Sequence, residues 1–315
     1  MKNMGFLVTW LIPAAKWSRC TRQLMRIPAL LLFFFTPLSV VFAEQIPVDV
    51  KDDAGRVVKL SHPAKRIISL APHATELLFA AGAGAAIIGV SDYSNFPEQA
   101  KKIPQVGSVF ALDIERIVAL KPDLVVVWGT GGAKIIAKQL RDQNLAVFES
   151  EPRNFETVAT SIERFAQLGG TSAAGDKAAA AFRARLAQIK NTYARERGHP
   201  VRVFYQVWHQ PLMTLNGQHL VSEMLRLCGA ENIFSQLKEI SPTVSTEAVI
   251  AANPDAIVTT GDAKQDQFAQ WRSFTQLTAI KKSQLFVIQD DWMSRPGPRV
   301  LDGTEALCKH LSEVN

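Results

Sequence analysis

The chain is poor in the residues that most chemistry needs. Its 315 residues hold three cysteines, three tyrosines and six histidines. The histidines, at 62, 73, 199, 209, 219 and 310, form no HxH or HxxxH pair and no His-rich tract. That excludes the usual zinc or manganese binder, and an isolated histidine such as His209 does not make a metal site. No Gly-x-Ser-x-Gly elbow occurs, so a serine hydrolase on an α/β frame is excluded as well. The glycines of "AGAGAAIIG" follow a predicted helix and precede a predicted strand. A phosphate-cradling loop needs the reverse order, so Gly82 and Gly84 read as glycines closing a helix.

The basic excess is equally hollow. The formal net charge is +6, but Lys2, Lys16, Arg19, Arg22 and Arg26 all lie in the first 43 residues, which hold no acid. The remainder, 44 to 315, carries 30 basic and 29 acidic residues. A nucleic-acid or membrane-surface partner loses its electrostatic support.

The N-terminal piece reads as an address. "MRIPALLLFFFTPLSVVFA", Met25 to Ala43, has a basic start, an apolar run broken by Pro37, and small residues before Ala43. The run is short for a membrane span. A secretory signal cut after Ala43 is expected, with Met25 a candidate true start. No cysteine follows the run to carry a lipid. Cys20 leaves with the signal, and Cys228 and Cys308 remain. An exported setting favours a bridge between them, the alternative being two buried thiols.

Beyond residue 44 the pattern alternates. "IPVDVKDDAGRVVKL" predicts a hairpin turning at Asp53-Ala54-Gly55. "RIISL", "AIIGV", "LVVVW" and "LAVFES" are short apolar strands. Helices over "HATELLFAAG", with Glu76 in the first turn, "IERIVAL" and "AKIIAKQLRDQ" separate them. Such alternation predicts a parallel sheet covered on both faces. Two helices follow, one over 155–168 and a long Ala-rich one around 176–196. The alternation then restarts at "VRVFYQV" and runs through "SEMLRLCGAENIF" and "QLFVIQ" to a closing helix, "RVLDGTEALCKHLSEV".

One unit is repeated. "LDIERIVALKPDLVVVWG", 112 to 129, returns as "VSTEAVIAANPDAIVTTG", 244 to 261. Glu115 matches Glu247, and Pro122-Asp123 matches Pro254-Asp255. The chain therefore reads as two similar α/β lobes, 44–153 and 200–315, with helices over 154–199 between them. In each copy an N-cap residue, Asp113 or Ser245, stands two positions before the glutamate. An acid in a first turn is favoured by the helix dipole. Such helix starts also face the edge where α/β sheets bind ligands. Either reading explains the pair: helix starts, or carboxylates for arginines on a partner.

Taken together and in order, "RIISLAPHATELLFAAGAG", "GVSDYSNFP", "IERIVALKPDLVVVW", "LCGAENIF", "VSTEAVIAANPDAIV" and "RPGPRVLDGTEAL" resemble the substrate-binding proteins of ABC importers with a rigid helical linker. Within that family they resemble the cobalamin binders. The resemblance covers the chain beyond the signal. It implies two Rossmann-like lobes joined by a long helix, and a ligand held in the cleft between them. It implies a periplasmic location and no catalysis. The protein would be a monomer with a cargo, cobalamin or a related corrinoid, and no cofactor. Its partners would be the permease and ATPase subunits of an inner-membrane importer. The matching docking residues are Glu115 and Glu247, and Cys228 and Cys308 match the family's bridged pair. Tyr93 and Trp128 match aromatics of the cleft, and Asp291 and Arg295 match its polar residues. Two family tryptophans are absent: Val109, beside Phe110, stands for one and Ser241 for the other. Phe110, Trp208 and Trp292 are candidates to supply the missing aromatic surface. Haem and ferric-siderophore binders share the frame and remain the alternative.

Overall fold

The computed structural model describes residues 47–108, 111–129, 132–193, 198–261 and 266–314. The segment expected to be a signal, Val109 and Phe110 lie outside the described residues. The chain divides into two units, Met1–Glu44 and Gln45–Asn315, and the fold concerns the second.

It opens with strands β1 (Val48–Lys51) and β2 (Val57–Leu60), paired antiparallel about the turn at Asp53 to Gly55. Gly55 takes a φ of +84° there, a conformation that glycine adopts without a Cβ penalty. There follow β3 (Ile67–Ser69), α1 (Pro72–Ala80), β4 (Ile87–Val90), α2 (Ile114–Ala119), β5 (Leu124–Trp128), α3 (Ala133–Asp142) and β6 (Val147–Ser150). The four strands β3 to β6 form one parallel sheet in the order β4-β3-β5-β6. After α4 (Phe155–Gly169) and α5 (Ser172–Tyr193) the plan is repeated. Strand β7 (Val201–Gln206), α6 (Leu220–Leu227), β8 (Ala230–Asn232), α7 (Thr246–Ala252), β9 (Ala256–Thr260), α8 (Thr278–Lys281) and β10 (Leu285–Ile288) come next. Their sheet has the order β8-β7-β9-β10, the same as the first. Helices α9 (Asp290–Ser294) and α10 (Val300–Ser312) close the chain.

The repeated motif does the same work in both sheets. Asp113 Oδ1 accepts the Arg116 N–H at 2.9 Å, and Ser245 Oγ accepts that of Ala248 at 3.1 Å. Each helix then runs into a residue of positive φ, Lys121 at 47° and Asn253 at 42°. The Pro-Asp pair follows. Asp123 Oδ2 accepts the N–H groups of Lys65 and Arg66, at 2.8 and 2.9 Å, and Asp255 Oδ2 accepts that of Arg202 at 2.9 Å. In return Arg66 donates to the Leu120 carbonyl at 2.6 Å and Arg202 to that of Ala252 at 2.7 Å. A guanidinium thus satisfies orphan carbonyls at the end of each short helix, where positive charge is favoured. The Pro-Asp break is the clasp that fastens the first strand of each sheet to its third.

Alternate strand residues face opposite ways. Ile68, Val125 and Val127 pack with Ile117, Ala137 and Leu140 beneath α2 and α3. Phe204, Ile257 and Trp271 do the same beneath α7 and α8. The other faces, with Ile67, Val126 and Phe148 on one sheet and Val203 and Val258 on the other, belong to a single cluster. It runs through Leu77, Phe165, Phe182, Met224 and Leu307 of the helices. Helix α4 is tied to the first lobe by Arg164, which reaches Asp53 at 2.7 Å. Helix α5 is tied to the second by Arg185, which reaches Asp302 at 2.7 Å. The helices between the sheets are therefore part of the shared core.

Several expectations shift. Helix α1 opens at Pro72, as a proline at the first helical position predicts, but Glu76 lies beyond its first turn. Gly82 follows the helix with a φ of +78°, as its role requires. Gly84 has no such φ and is kept small by the Phe79 ring lying where a Cβ would stand. Helix α5 starts at Ser172, four residues early, because the N–H of Gly175 reaches the Thr171 carbonyl and the small residues there pack on α4. Cys228 caps the end of α6 and does not sit inside it. The bridge to Cys308 is formed, across 80 residues of chain.

Candidate ligand cleft

The strand ends converge on one groove. Trp128 ends β5 and Ser150 ends β6, while Thr260 ends β9 and Gln206 ends β7. A cavity of about 540 Å³ opens there, walled by second-lobe residues that include Gln206, Trp208, Thr260 and, from α9, Asp290, Met293 and Ser294. A small recess of about 50 Å³ adjoins it, lined by Trp128, Glu151, Pro152 and Arg153 from one lobe and by Gln218, Ile240 and Pro296 from the other. His219, Met293 and Ser294 line both. Carboxyl ends of parallel strands are where open α/β sheets receive ligands.

The cavity wall is polar but nearly uncharged. Gln206, Ser241, Thr259, Thr260, Gln267 and Ser294 supply amides and hydroxyls. Asp290 is the one acid, and no lysine or arginine is among the described lining residues. Gln206 is fixed: its Oε1 accepts from the Trp271 indole and from Gln270, both at 2.7 Å. Burial, with Asp290 nearby, pushes the Tyr205 phenol up, so it stays neutral. His219 is held down to about 4 by burial. A larger hollow of about 760 Å³, between the first hairpin and α3, has a different character. Its walls are mostly ion-paired: Arg56 and Arg141 both meet Glu149, and Lys138 meets Asp142.

Of the residues singled out by sequence, Trp128 and Trp208 come together around the adjoining spaces. Trp208 is 55% exposed, with its indole N–H on the Gln210 carbonyl at 2.9 Å. Trp128 meets the His73 ring edge-on, 4.6 Å between centroids. Tyr93 is 72% exposed at a φ of 62°, on the loop after β4. Trp292 is half-buried against the core, and neither it nor Tyr93 lines the two spaces. Asp291 and Arg295 are joined at 2.7 Å, and Arg295 is buried. Its guanidinium also reaches Glu76 at 3.3 Å and Asn95 at 2.8 Å. Their polar atoms are thus committed to each other and to the first lobe, and neither side chain lines the cavity. Glu115 and Glu247 both stand exposed at their helix starts, without a salt bridge among the described residues. The Glu247 carboxyl lies below the usual range, because its own backbone N–H and the Ser245 hydroxyl bond to it.

Sequence reasoning missed the centre of this arrangement. Glu76, on α1, is buried and receives Arg299 as well as Arg295. Arg299 in turn stacks over Phe96, 4.1 Å from the ring centroid. His73 was missed too. It is fully buried, with one ring nitrogen 3.0 Å from Ser150 Oγ, and burial lowers it to about 3. The hint for Glu76 was a carboxylate between apolar residues, since such a burial demands a cation. Asp291, Arg295 and Arg299 recur every four residues, the spacing of one helical face.

Two lobes of identical topology, a helical connection sharing their core, and a polar cavity at the strand ends make the frame of a small-molecule binding protein. The chain belongs to the periplasmic binding protein family, whose pattern it matches over residues 67–292. It is 37% identical over 250 residues to the vitamin B12-binding protein of Vibrio cholerae, covering 79% of this chain and 90% of that one. It is 36% identical to the vitamin B12-binding protein of Yersinia pestis over 251 residues, covering 80% and 88%. The crystal structure of the periplasmic vitamin B12 binding protein BtuF of Vibrio cholerae superposes with a TM-score of 0.73, covering 79% of this chain and 97% of that one. The periplasmic haem-binding protein HutB of Vibrio cholerae shares the fold, with a TM-score of 0.68 at 19% identity over 78% and 98%.

Proposed function

We propose that this protein captures cobalamin, or a closely related corrinoid, in the periplasm and delivers it to an inner-membrane ABC importer. The observation that carries this reading is the absence of lysine and arginine from the described lining of the 540 Å³ cavity, the one arginine nearby being Arg153 in the adjoining recess. A haem or a ferric siderophore brings carboxylates or a net negative charge, which a binding site meets with cations. A corrin ring is fringed with neutral carboxamides, which suit the amides, hydroxyls and neutral imidazole found here. The vitamin-binding names of the two bacterial relatives support the same choice.

In this reading Trp128 and Trp208 offer ring surface to the ligand, and Tyr93 reaches it from the exposed loop. Asp291, Arg295 and Trp292 shape the cleft by bracing its far wall. Glu115 and Glu247 present one carboxylate from each lobe to arginines of the permease. Residues 1–43 direct export and are removed after Ala43. The protein acts as a monomer, and the ligand is cargo, not cofactor.

Titration of tryptophan fluorescence with cyanocobalamin tests the reading. A saturable quench at micromolar ligand or below, weakened by Trp128→Ala or Trp208→Ala, is expected. No saturable change with any corrinoid overturns it.

A further inference from the structure

We infer that His219 is a ligand-recognising donor of the cleft, its Nε2–H placed to take a carboxamide oxygen of the cargo. The inference deepens the corrinoid reading and rests on it. His219 caps α6: its Nδ1 accepts the Val221 N–H at 3.2 Å. A nitrogen that accepts cannot carry the proton, so in the neutral ring the proton is on Nε2. Apart from that capping contact, the ring has no hydrogen-bond or ion-pair partner among the described residues. Only burial moves its titration, which keeps it neutral at the pH of the periplasm.

Its place is as telling as its protonation. His219 is one of three residues that line both the large cavity and the recess beside Trp128. The helix start fixes the ring by its Nδ1 edge, which leaves the Nε2 edge for the space the ring borders. A fixed, uncharged single donor matches an amide carbonyl. It gives a carboxylate no countercharge, and it has no lone pair to offer a metal while Nε2 holds its proton. Met293 and Ser294, the other shared residues, lie on α9, which the second lobe sets against the first through Arg295. The donor thus stands where a ligand that fills both spaces must pass.

The test is His219→Asn. Asparagine is a good helix cap, so α6 keeps its first turn, but the shorter amide cannot reach into the cleft. Cyanocobalamin should bind the variant about tenfold more weakly than the wild type, the loss of one hydrogen bond, with the melting temperature unchanged. A second reading uses the wild type alone, by nitrogen-resolved NMR of the histidine rings. His219 should be protonated at Nε2 in the free protein, and that proton should shift and exchange more slowly once cyanocobalamin is added. Equal affinity in the variant, or a ring signal unmoved by ligand, overturns the inference and leaves the corrinoid reading standing. A wild type that does not bind cyanocobalamin removes both.

Discussion

Glu76 of the first lobe and Arg299 of the second meet through two hydrogen bonds, 2.6 Å from Nη2 to Oε1 and 3.0 Å from Nε to Oε2. The carboxylate is almost wholly removed from solvent and is shared with Arg295. Asp291 balances the second guanidinium, at 2.7 Å from Arg295 and 3.4 Å from Arg299. Through Asn95 and Phe96 the same arginines hold the loop that carries Tyr93. Removing one partner of a buried ion pair strands the rest without compensation. Glu76→Ala should therefore cost about 3–5 kcal/mol in urea unfolding. A loss under about 1 kcal/mol would show that water enters and repairs the gap.

Two histidines, His73 buried and His219 half-buried, contribute to the acid response. His73 and His219 hold folded values of about 3 and about 4, against 6.5 when free of the fold. Both are depressed, so the unfolded chain binds more protons below 6.5. Stability is full above that value and falls as pH drops toward 4. The slope is about 1.4 kcal/mol per pH unit for each ring. His73→Gln should flatten the fall between pH 6 and 4 relative to wild type, measured by urea midpoints. Parallel curves would place His73 in contact with water.

The bridge between Cys228 and Cys308 closes 80 residues and joins the end of α6 to α10. On the chain-entropy account its loss costs about 4–5 kcal/mol. Non-reducing peptide mapping of periplasmic protein should return the linked pair. The Cys228→Ser, Cys308→Ser double variant should unfold at markedly lower urea. Two alkylatable thiols in unreduced native protein would contradict this.

The twin glutamates separate docking from helix capping. Each helix keeps its own cap in Asp113 or Ser245, so Glu115→Ala and Glu247→Ala should each cost at most about 1 kcal/mol. Ligand affinity should hold, while stimulation of the importer's ATPase should drop, and further in the double variant. Full stimulation by both single variants and by the double would return the two residues to a helix-start role.

What the sequence made legible was whatever repeats or alternates. The 132-residue spacing of Glu115 and Glu247 announced two lobes, and the apolar strand runs located seven of the eight sheet strands. Ala230–Asn232 escaped because its "AEN" has no apolar run, being an edge strand with one side chain exposed between two buried ones. The Pro-Asp pair was visible as a break, but its role was not. That role needs Arg66 and Arg202, each more than fifty residues away in sequence. The same distance hid Glu76 and Arg299, 223 residues apart. Trp128 was named by resemblance and Trp208 as a stand-in for a missing aromatic, and each borders one of the two spaces. Asp291 and Arg295 were named by resemblance as polar residues of the cleft, yet sequence could not tell that they would satisfy one another.

The most direct test of the account is an absorbance spectrum. Purified protein is mixed with cyanocobalamin, desalted and scanned, and a second sample is treated in the same way with haemin. A cavity without lysine or arginine predicts a corrinoid spectrum at one ligand per protein in the first sample and little haem in the second. Retention of haemin with loss of cyanocobalamin would contradict it.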